Sequence, residues 1–256
     1  MQKDPFFSIV IPTLNEEFFL PHLLEDLKKQ KEKNFEVIVV DGDSDDRTRH
    51  QAEQFEPYFH LTIYNVKKRN LSFQRNFGAK KSKGGFLIFL DADMRIGPTF
   101  INELMIQINK SRYLIYLPFL YPQEGSDIDK VSFYLNNILI WLSHKLFIPF
   151  STAGVMIIQK NFFHFIGGFL ERKEHEEKLL FPEDHELFLR VSKNGVRAQL
   201  MPHIKAGYSL RRYKKDGRLI VVHAWVISAF QTMFTGKLNK KIPYEMGGHL
   251  YAPPKS

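Results

Sequence analysis

The stretch FLIFLDADMR, residues 86–95, runs from five apolar residues directly into two aspartates separated by one alanine. The apolar run has the length and composition of a buried strand. Asp91 and Asp93 follow at the point where the chain leaves the sheet, so both carboxylates can reach one cation. Hard divalent ions such as Mg²⁺ or Mn²⁺ bind carboxylate oxygens and keep positions open for phosphate oxygens. The stretch therefore indicates a strand that ends in a metal site, although aspartates with this spacing also occur in solvated turns.

Composition narrows the class of protein. The chain has 256 residues, 44% of them hydrophobic, which is enough to bury a sizeable core. It has no cysteine, which excludes a disulfide scaffold and a thiolate metal site. Its formal net charge of +8 favours anionic partners such as nucleotide phosphates or a membrane surface, although surplus lysine also serves solubility. The N-terminus shows no signal-peptide pattern, so we expect a cytoplasmic protein.

Strand and helix patterns alternate through the first half of the chain. Strand composition is found in residues 6–11, 36–40, 61–66 and 86–90. Helical patterns lie between these runs, in residues 19–27, 46–55 and 72–83. Near-continuous apolar strands separated by helices predict an α/β fold, a mostly parallel sheet with helices on both faces. Ligands bind beyond the carboxyl ends of such strands, so PTLNEE, DGDSDD and DADMR should converge on one crevice.

The second half is less regular. Strand patterns occur in residues 113–119, 154–159 and 197–202, and a helix is predicted to begin after Pro182 and to end at Gly195.

The segment DGDSDDRT, residues 41–48, has the pattern of a strand end, a glycine turn and an N-capped helix. We expect Ser44 or Asp45 to cap the helix. Asp41 would then be free to accept hydrogen bonds from a base or a ribose. Capping alone explains Ser44 well and Asp41 poorly.

Five segments resemble, in this order, the motifs of family 2 glycosyltransferases, whose catalytic domain has the GT-A (Rossmann-like) fold. They are SIVIPTLNEE, EVIVVDGDSDDRT, RNFGAKKSKGGFLIFLDAD, AGVMIIQKNFFHFIGGF and PEDHELFLRVSKNG. The resemblance covers roughly residues 6 to 210. It implies a catalytic domain over 1–210, with a nucleotide-sugar half of about 1–110 and an acceptor half of about 111–210, followed by an extension over 211–256.

The resemblance also implies a donor site in the first half of the chain. The corresponding residues form three groups: the wall of the nucleoside pocket, the RNxG element near the diphosphate, and the D-x-D motif that holds the metal. In chain order they are Pro12, Thr13, Asn15, Glu17, Asp41, Asp43, Arg75, Asn76, Gly78, Asp91, Ala92 and Asp93. Asp41 falls where the family contacts the base, and Asp93 is the more direct metal ligand of its pair. Asp43 stands where many relatives have glycine, and aspartate tolerates the left-handed turn that glycine would make there.

Asp184, within EDHEL, matches the catalytic base of the family, and Glu183 lies beside it. Inverting transfer needs a carboxylate that takes the proton of the acceptor hydroxyl while its oxygen attacks the anomeric carbon. A metal would neutralise the leaving diphosphate, and Arg75, or Arg211 and Arg212, could add positive charge. Alternatively, Glu183 and Asp184 are first-turn acids that favour the helix dipole.

His203 is a further candidate, because in some GT-A enzymes a late histidine is the third metal ligand. A lone histidine is more often structural.

The C-terminal extension has its own pattern. Residues 219–236 are uncharged, and their length of 18 is at the short limit for a bilayer of about 30 Å. Their polar residues share one helical face and basic residues flank them, so we expect an amphipathic helix. Such a helix could give peripheral contact, through 211–241, with the inner face of an anionic membrane. It could equally pack on the catalytic domain or on a second subunit, and the aromatic segment 131–150 could add to either surface or line the acceptor site.

The leading interpretation is an inverting glycosyltransferase that moves a sugar from a nucleotide-diphosphate sugar to a hydroxyl of a glycan or lipid-linked acceptor, with Mg²⁺ or Mn²⁺ as cofactor. A sugar-phosphate nucleotidyltransferase is the alternative enzyme, but its glycine-rich basic loop is replaced here by PTLNEE. A non-catalytic scaffold that binds a nucleotide sugar is the third hypothesis. Nucleic-acid binding is not favoured, because the basic residues lie beside an apolar segment rather than along a recognition element.

Overall fold

One eight-stranded sheet runs through the part of the chain that this computed structural model describes, residues 6–145, 154–171, 183–217 and 248. The strands are β1 Phe7–Thr13, β2 Phe35–Asp41, β3 His60–Asn65, β4 Phe86–Leu90, β5 Arg95–Ile96, β6 Ile115–Pro122, β7 Val155–Gln159 and β8 Ala198–Tyr208. The helices are α1 Leu20–Lys28, α2 Thr48–Glu53, α3 Leu71–Lys81, α4 Phe100–Lys110, α5 Asp127–Lys145, α6 Lys160–Phe165, α7 Glu183–Lys193 and α8 Arg211–Asp216.

The strand order is β3-β2-β1-β4-β7-β6-β8-β5. The first four strands in this order are parallel, as the sequence predicts. β7 is antiparallel to both β4 and β6, and β5 is antiparallel to β8, so the sheet as a whole is mixed. The direction of a strand cannot be read from an apolar run, which explains why the antiparallel pairs were not foreseen.

Both faces of the sheet are covered by helices, which confirms the predicted layering. Ile9 and Ile11 of β1 pack in one cluster with α1 and α4, and Val10 packs in the other with α3, α6 and α7. Successive side chains of a strand point to opposite faces, so a strand buried on both sides must be apolar at every position. This is the physical reason for uninterrupted runs such as FLIFL.

The predicted helices are confirmed within a few residues. Asn70 caps α3, because its side chain accepts a hydrogen bond from the backbone N–H of Phe73 at 2.8 Å. α7 begins directly after Pro182 and is followed by Gly195, whose φ of 70° suits a residue without a side chain.

No helix in the described residues is long and apolar enough to cross a membrane. Residues 219–236, and most of the stretch predicted to contact a membrane, lie outside the described residues.

Candidate active site

The carboxyl ends of β1, β2 and β4 meet at one edge of the sheet, because these strands are parallel and in register. Thr13 at the end of β1 pairs with Asp41 at the end of β2, and β4 lies on the other side of β1. The loops predicted to converge therefore do so. We call this edge the rim.

Asp41 is fully buried at the rim, with both of its oxygens already bonded by the chain. Its Oδ1 accepts hydrogen bonds from Thr13 Oγ1 at 3.0 Å and from Ser44 Oγ at 2.5 Å. Its Oδ2 accepts from the backbone N–H of Ser44 at 2.9 Å. The expectation that Asp41 is left free is thus wrong, because the serine assigned to capping binds Asp41 instead.

The start of α2 explains that error. Asp46, not Ser44 or Asp45, accepts the backbone N–H of Thr48 at 2.9 Å, and the helix begins at Thr48. Ser44 lies too early in the chain to reach the first helical turn.

The loop after β1 is fastened to the loop after β2. Asn15 adopts a left-handed φ of 54°, its backbone N–H donates to Ser44 Oγ at 2.8 Å, and its Oδ1 accepts the N–H of Asp45 at 2.8 Å. Asp43 has a φ of 59°, which confirms that aspartate makes the left-handed turn here. Pro12 is buried, and the carboxylate of Glu17 is 3.3 Å from Arg47 Nε. The residues predicted for the nucleoside pocket therefore lie at the ends of β1 and β2 or in the two loops that follow these strands.

Two residues of the RNxG element serve packing in this structure. A Cβ on Gly78 would lie 2.4 Å from Val10 Cγ1, so glycine lets α3 approach β1 closely. The side chain of Asn76 exchanges hydrogen bonds with the backbone N–H and C=O of Phe169, both at 2.8 Å.

Gln74 was missed by sequence reasoning. Its amide donates to the carbonyls of Thr13 and Val40, both at 2.8 Å, and so joins the ends of β1 and β2. An uncharged side chain inside a helical pattern gave no signal of this.

Asp91 and Asp93 emerge from β4 side by side, with Ala92 buried between them. Arg75 Nη2 donates to Asp91 Oδ1 at 2.8 Å, and Arg211 Nε lies 2.9 Å from Asp93 Oδ2. Each aspartate of the pair thus has its own arginine, one from α3 and one from α8.

The first arginine also reaches the predicted base. Arg75 Nη1 donates to Glu183 Oε1 at 3.1 Å and to Asp184 Oδ1 at 3.2 Å. Burial raises the pKa of Asp184 to about 7, against the opposing charge of Arg75 and with a contribution from the nearby carboxylates. We call Arg75, Asp91, Glu183 and Asp184 the Arg75 cluster.

The second arginine joins a residue that sequence reasoning did not select. Arg211 forms a forked ion pair with Glu16, with nitrogen–oxygen distances of 2.8 and 2.9 Å, and stacks over Phe19 at 4.5 Å. Burial raises the pKa of Glu16 to about 7 and also raises that of Asp93, in both cases against the charge of Arg211. We call Arg211, Glu16 and Asp93 the Arg211 cluster.

Gly248 also lies against this cluster. The backbone N–H of Gly248 donates to the carbonyl of Leu14 at 3.0 Å. A Cβ on Gly248 would lie 2.3 Å from Glu16 Oε2, so only glycine fits there without a shift. The division at residue 210 stays a prediction, but Arg211 and Gly248 both lie against the loop that follows β1.

His203 does not join the two aspartates. Its side chain is exposed in the middle of β8, next to a register shift against β6, and the strand continues to Tyr208 before it reaches the rim. Within the described residues no three His, Asp or Glu side chains are grouped as a metal site. The expectation that His203 is a third metal ligand is therefore not met, because β8 is longer than its sequence pattern indicates.

His185, the neighbour of Asp184 on α7, is partly buried. Burial lowers the pKa of His185, next to Asp184, to about 4, so this imidazole is neutral at pH 7.

The two clusters gather five carboxylates around two buried guanidinium groups. The charge of Arg212 also acts on Asp93, and the raised pKa values of Glu16 and Asp184 lessen the negative charge of the clusters near pH 7. Asp91 and Asp93 supply hard oxygen donors, and Mg²⁺ is typically held by one or two carboxylates together with phosphate oxygens and water. The donor set therefore fits a divalent cation that arrives with a diphosphate.

Comparison with known sequences places the chain in a family. The profile described as "Glycosyl transferase family 2" matches residues 8–180, about two thirds of the chain. An uncharacterized glycosyltransferase of Haemophilus influenzae is 36% identical over 113 residues, which cover 43% of this chain and 38% of that protein. A PGL/p-HBAD biosynthesis glycosyltransferase of Mycobacterium bovis is 37% identical over 91 residues, or 35% of this chain and 36% of that one. The matches thus span little more than a third of these relatives.

Solved structures establish the fold. Staphylococcus aureus TarS 1–349 in complex with UDP-GlcNAc has a TM-score of 0.65 at 22% identity, over 79% of this chain and 58% of that one. The mannosyltransferase PcManGT from Pyrobaculum calidifontis, in complex with GDP-Man and Mn²⁺, has a TM-score of 0.67 at 18% identity, over 90% and 62%. The mixed α/β sheet described above is thus the GT-A, Rossmann-like sheet of these proteins.

Proposed function

The chain belongs to glycosyltransferase family 2, and on that premise we propose that it is an inverting enzyme with Asp184 as the general base. The donor is a nucleotide-diphosphate sugar, and the acceptor is a hydroxyl of a glycan or of a lipid-linked saccharide. Asp184 takes the proton of that hydroxyl as its oxygen attacks the anomeric carbon, and the nucleoside diphosphate leaves from the opposite face.

The observation that carries this proposal is the state of Asp184 at the rim. A general base works best when its pKa is near the operating pH, and burial raises the pKa of Asp184 to about 7. Its side chain is 20% exposed, so it is shielded from bulk water yet accessible to an acceptor. A carboxylate that only favoured the helix dipole would need no such surroundings.

The donor is proposed to bind along the rim, with its nucleoside against the loops that carry Asn15 and Asp43 and its diphosphate near Asp91 and Asp93. These two aspartates would hold Mg²⁺ or Mn²⁺, which stabilises the negative charge of the leaving diphosphate. The carboxylate oxygens of this pair are the hard donors that such a cation prefers, which supports the proposal. The structure of PcManGT in complex with GDP-Man and Mn²⁺ also supports the binding of a divalent cation.

The proposal includes a lipid-linked acceptor and peripheral membrane contact through residues 211–241. The net charge of +8 and the basic residues of α8, such as Lys214 and Lys215, support attraction to an anionic surface. Flotation with anionic liposomes tests it: the full chain should float more than a version ending at Gly207, and equal flotation would exclude membrane contact.

The donor is tested by screening UDP-, GDP- and dTDP-sugars with Mg²⁺ or Mn²⁺, and with chelator. We expect at least one donor to raise the melting temperature and to be hydrolysed slowly, in both cases only with the cation. A raised melting temperature without hydrolysis would favour the non-catalytic scaffold, and no response to any of them would contradict binding of a nucleotide sugar.

The base is tested with Asp184→Asn. Transfer should fall by about 10²–10⁴-fold, the usual contribution of a general base, while donor binding stays measurable. Glu186→Gln is the matched control, because it removes another acid from the first turn of α7 and Glu186 is paired with Arg190. Equal losses in both variants would support the helix-dipole alternative, and full transfer by Asp184→Asn would refute the assignment.

A further inference from the structure

Arg75 is more enclosed than Arg211, with 4% against 16% of its side chain exposed, and it contacts three carboxylates at once. From this geometry we infer that Arg75 is a positioning residue, which fixes the base Asp184 relative to the end of β4, rather than a ligand of the donor diphosphate. The inference rests on the proposed function for the identity of the base.

The contacts of Arg75 join three separate elements. The side chain belongs to α3 and is 4% exposed. One end of its guanidinium binds Asp91, just beyond β4, and the other end binds Glu183 and Asp184 at the start of α7. Asp184 is 109 residues from Arg75 along the chain, so this contact is a tertiary link and not a local one.

The cation is held firmly in this place. Carboxylate oxygens of Asp91, Glu183 and Asp184 all lie within 3.2 Å of its two terminal nitrogens. The guanidinium also lies 5.1 Å from the ring centre of Phe169. Turning it toward a diphosphate would leave three crowded carboxylates without their arginine.

The position of the base depends on this link. Leu187, Phe188 and Val191 pack α7 against the sheet, but they lie one to two turns beyond Asp184. In the first turn it is Arg75 that bonds Glu183 and Asp184 to the strand end. A base displaced by about 1 Å can lose about a hundredfold in rate, so a small shift of this turn is sufficient to impair transfer.

The planar fork of arginine is needed for this task. Its two ends bind carboxylates on different elements, whereas the ammonium of lysine is a single point of charge on a flexible stem. Arg75→Lys should therefore behave nearly as Arg75→Met does, although it keeps the positive charge.

The test separates binding from chemistry. For Arg75→Lys and Arg75→Met we expect kcat to fall about a hundredfold, with KM for the donor and the Kd for the nucleoside diphosphate plus Mg²⁺ changed less than threefold. A loss of affinity as large as the loss of kcat would overturn the inference, because a diphosphate ligand would show that result. Arg95→Met is the matched control, since it breaks the Arg95–Asp26 ion pair outside the two clusters and should leave kcat nearly unchanged.

A second measurement does not require transfer. Backbone amides 187–190 bond to carbonyls 183–186 in α7, so loosening the first turn should make these amides exchange hydrogen at least tenfold faster in Arg75→Met. Unchanged protection would overturn the inference whether or not the protein transfers a sugar. If Asp184→Asn retained full transfer while hydrogen exchange rose as expected in Arg75→Met, the assignment of the base would fail. The positioning of α7 by Arg75 would still stand.

Discussion

Asp41 and Asp184 are two carboxylates of the same rim, and they are placed in opposite ways. Asp41 accepts hydrogen bonds from Thr13 and from both the hydroxyl and the backbone of Ser44. Asp184 shares one arginine with two other acids, and burial raises its pKa to about 7. Arg49 Nε also lies 3.7 Å from Asp41 Oδ2. A carboxylate supplied with donors of its own stabilises the fold, whereas one crowded by other carboxylates remains available for proton transfer.

The largest effect we expect is a difference between the Asp41→Asn and Asp184→Asn variants in the free energy of unfolding. Asp41→Asn replaces one oxygen by an amino group that faces hydrogen-bond donors, so the free energy of unfolding should fall by about 3 kcal/mol. Asp184→Asn removes a carboxylate from an acidic cluster and should change it by less than about 1 kcal/mol. Urea unfolding at pH 7.5 measures both, and equal losses would show that the two sites do not differ.

The pH dependence of transfer is the next largest effect. Asp184 must be unprotonated to act as a base, so kcat should fall as the pH drops through its pKa of about 7. For a single group this is about fiftyfold between pH 7 and pH 5. The residual activity of Asp184→Asn should lack this decline. A wild-type profile that is flat down to pH 5 would contradict the raised pKa.

The contrast between the two aspartates also shows how far the sequence could be interpreted. Apolar runs followed by polar residues were sufficient to predict that the ends of β1, β2 and β4 converge. Contacts between residues distant in the chain could not be predicted: Arg75 and Asp184 are 109 residues apart, and Arg211 and Glu16 are 195 residues apart. An apolar pattern shows on which face of a helix or strand a residue lies, but not which residue from another part of the chain it contacts.

The adjacent glutamates after β1 illustrate the same limit. Glu16 is buried against Arg211, whereas Glu17 lies beside Arg47, which is largely exposed. The left-handed turn at Asn15 precedes both residues, and a sequence pattern does not show how a loop continues after such a turn. The family resemblance pointed to Glu17, and Glu16 was missed for this reason.

Glu16→Gln extends the comparison to the Arg211 cluster. Because the pKa of Glu16 is about 7 when folded and near 4.5 when unfolded, the folded protein binds the extra proton. The stability that this proton gives is present below pH 4.5 and is lost as the pH rises through 7. The free energy of unfolding of the wild type should therefore fall, relative to Glu16→Gln, by about 2 kcal/mol between pH 5 and pH 7.

Thermal unfolding of both proteins at a series of pH values measures this difference. Asp127→Asn is a suitable control, since Asp127 is an exposed acid far from either cluster in sequence. If the free energy of unfolding of the wild type rose with pH relative to Glu16→Gln, Arg211 would be keeping Glu16 ionised. Glu16 would then not share the raised pKa of Asp184.

The smallest effect concerns the donors to Asp41. Ser44→Ala removes one hydroxyl, which donates to Asp41 and accepts from the backbone N–H of Asn15, but it leaves the Ser44 N–H in place. We expect a loss of about 1–2 kcal/mol in the free energy of unfolding, because two buried hydrogen bonds are lost. Because Asp41 keeps its contact with Thr13, donor affinity should change less than threefold. A large loss of donor affinity with no loss of stability would instead make Asp41 a ligand of the donor, and the division between a structural and a reactive aspartate would fail.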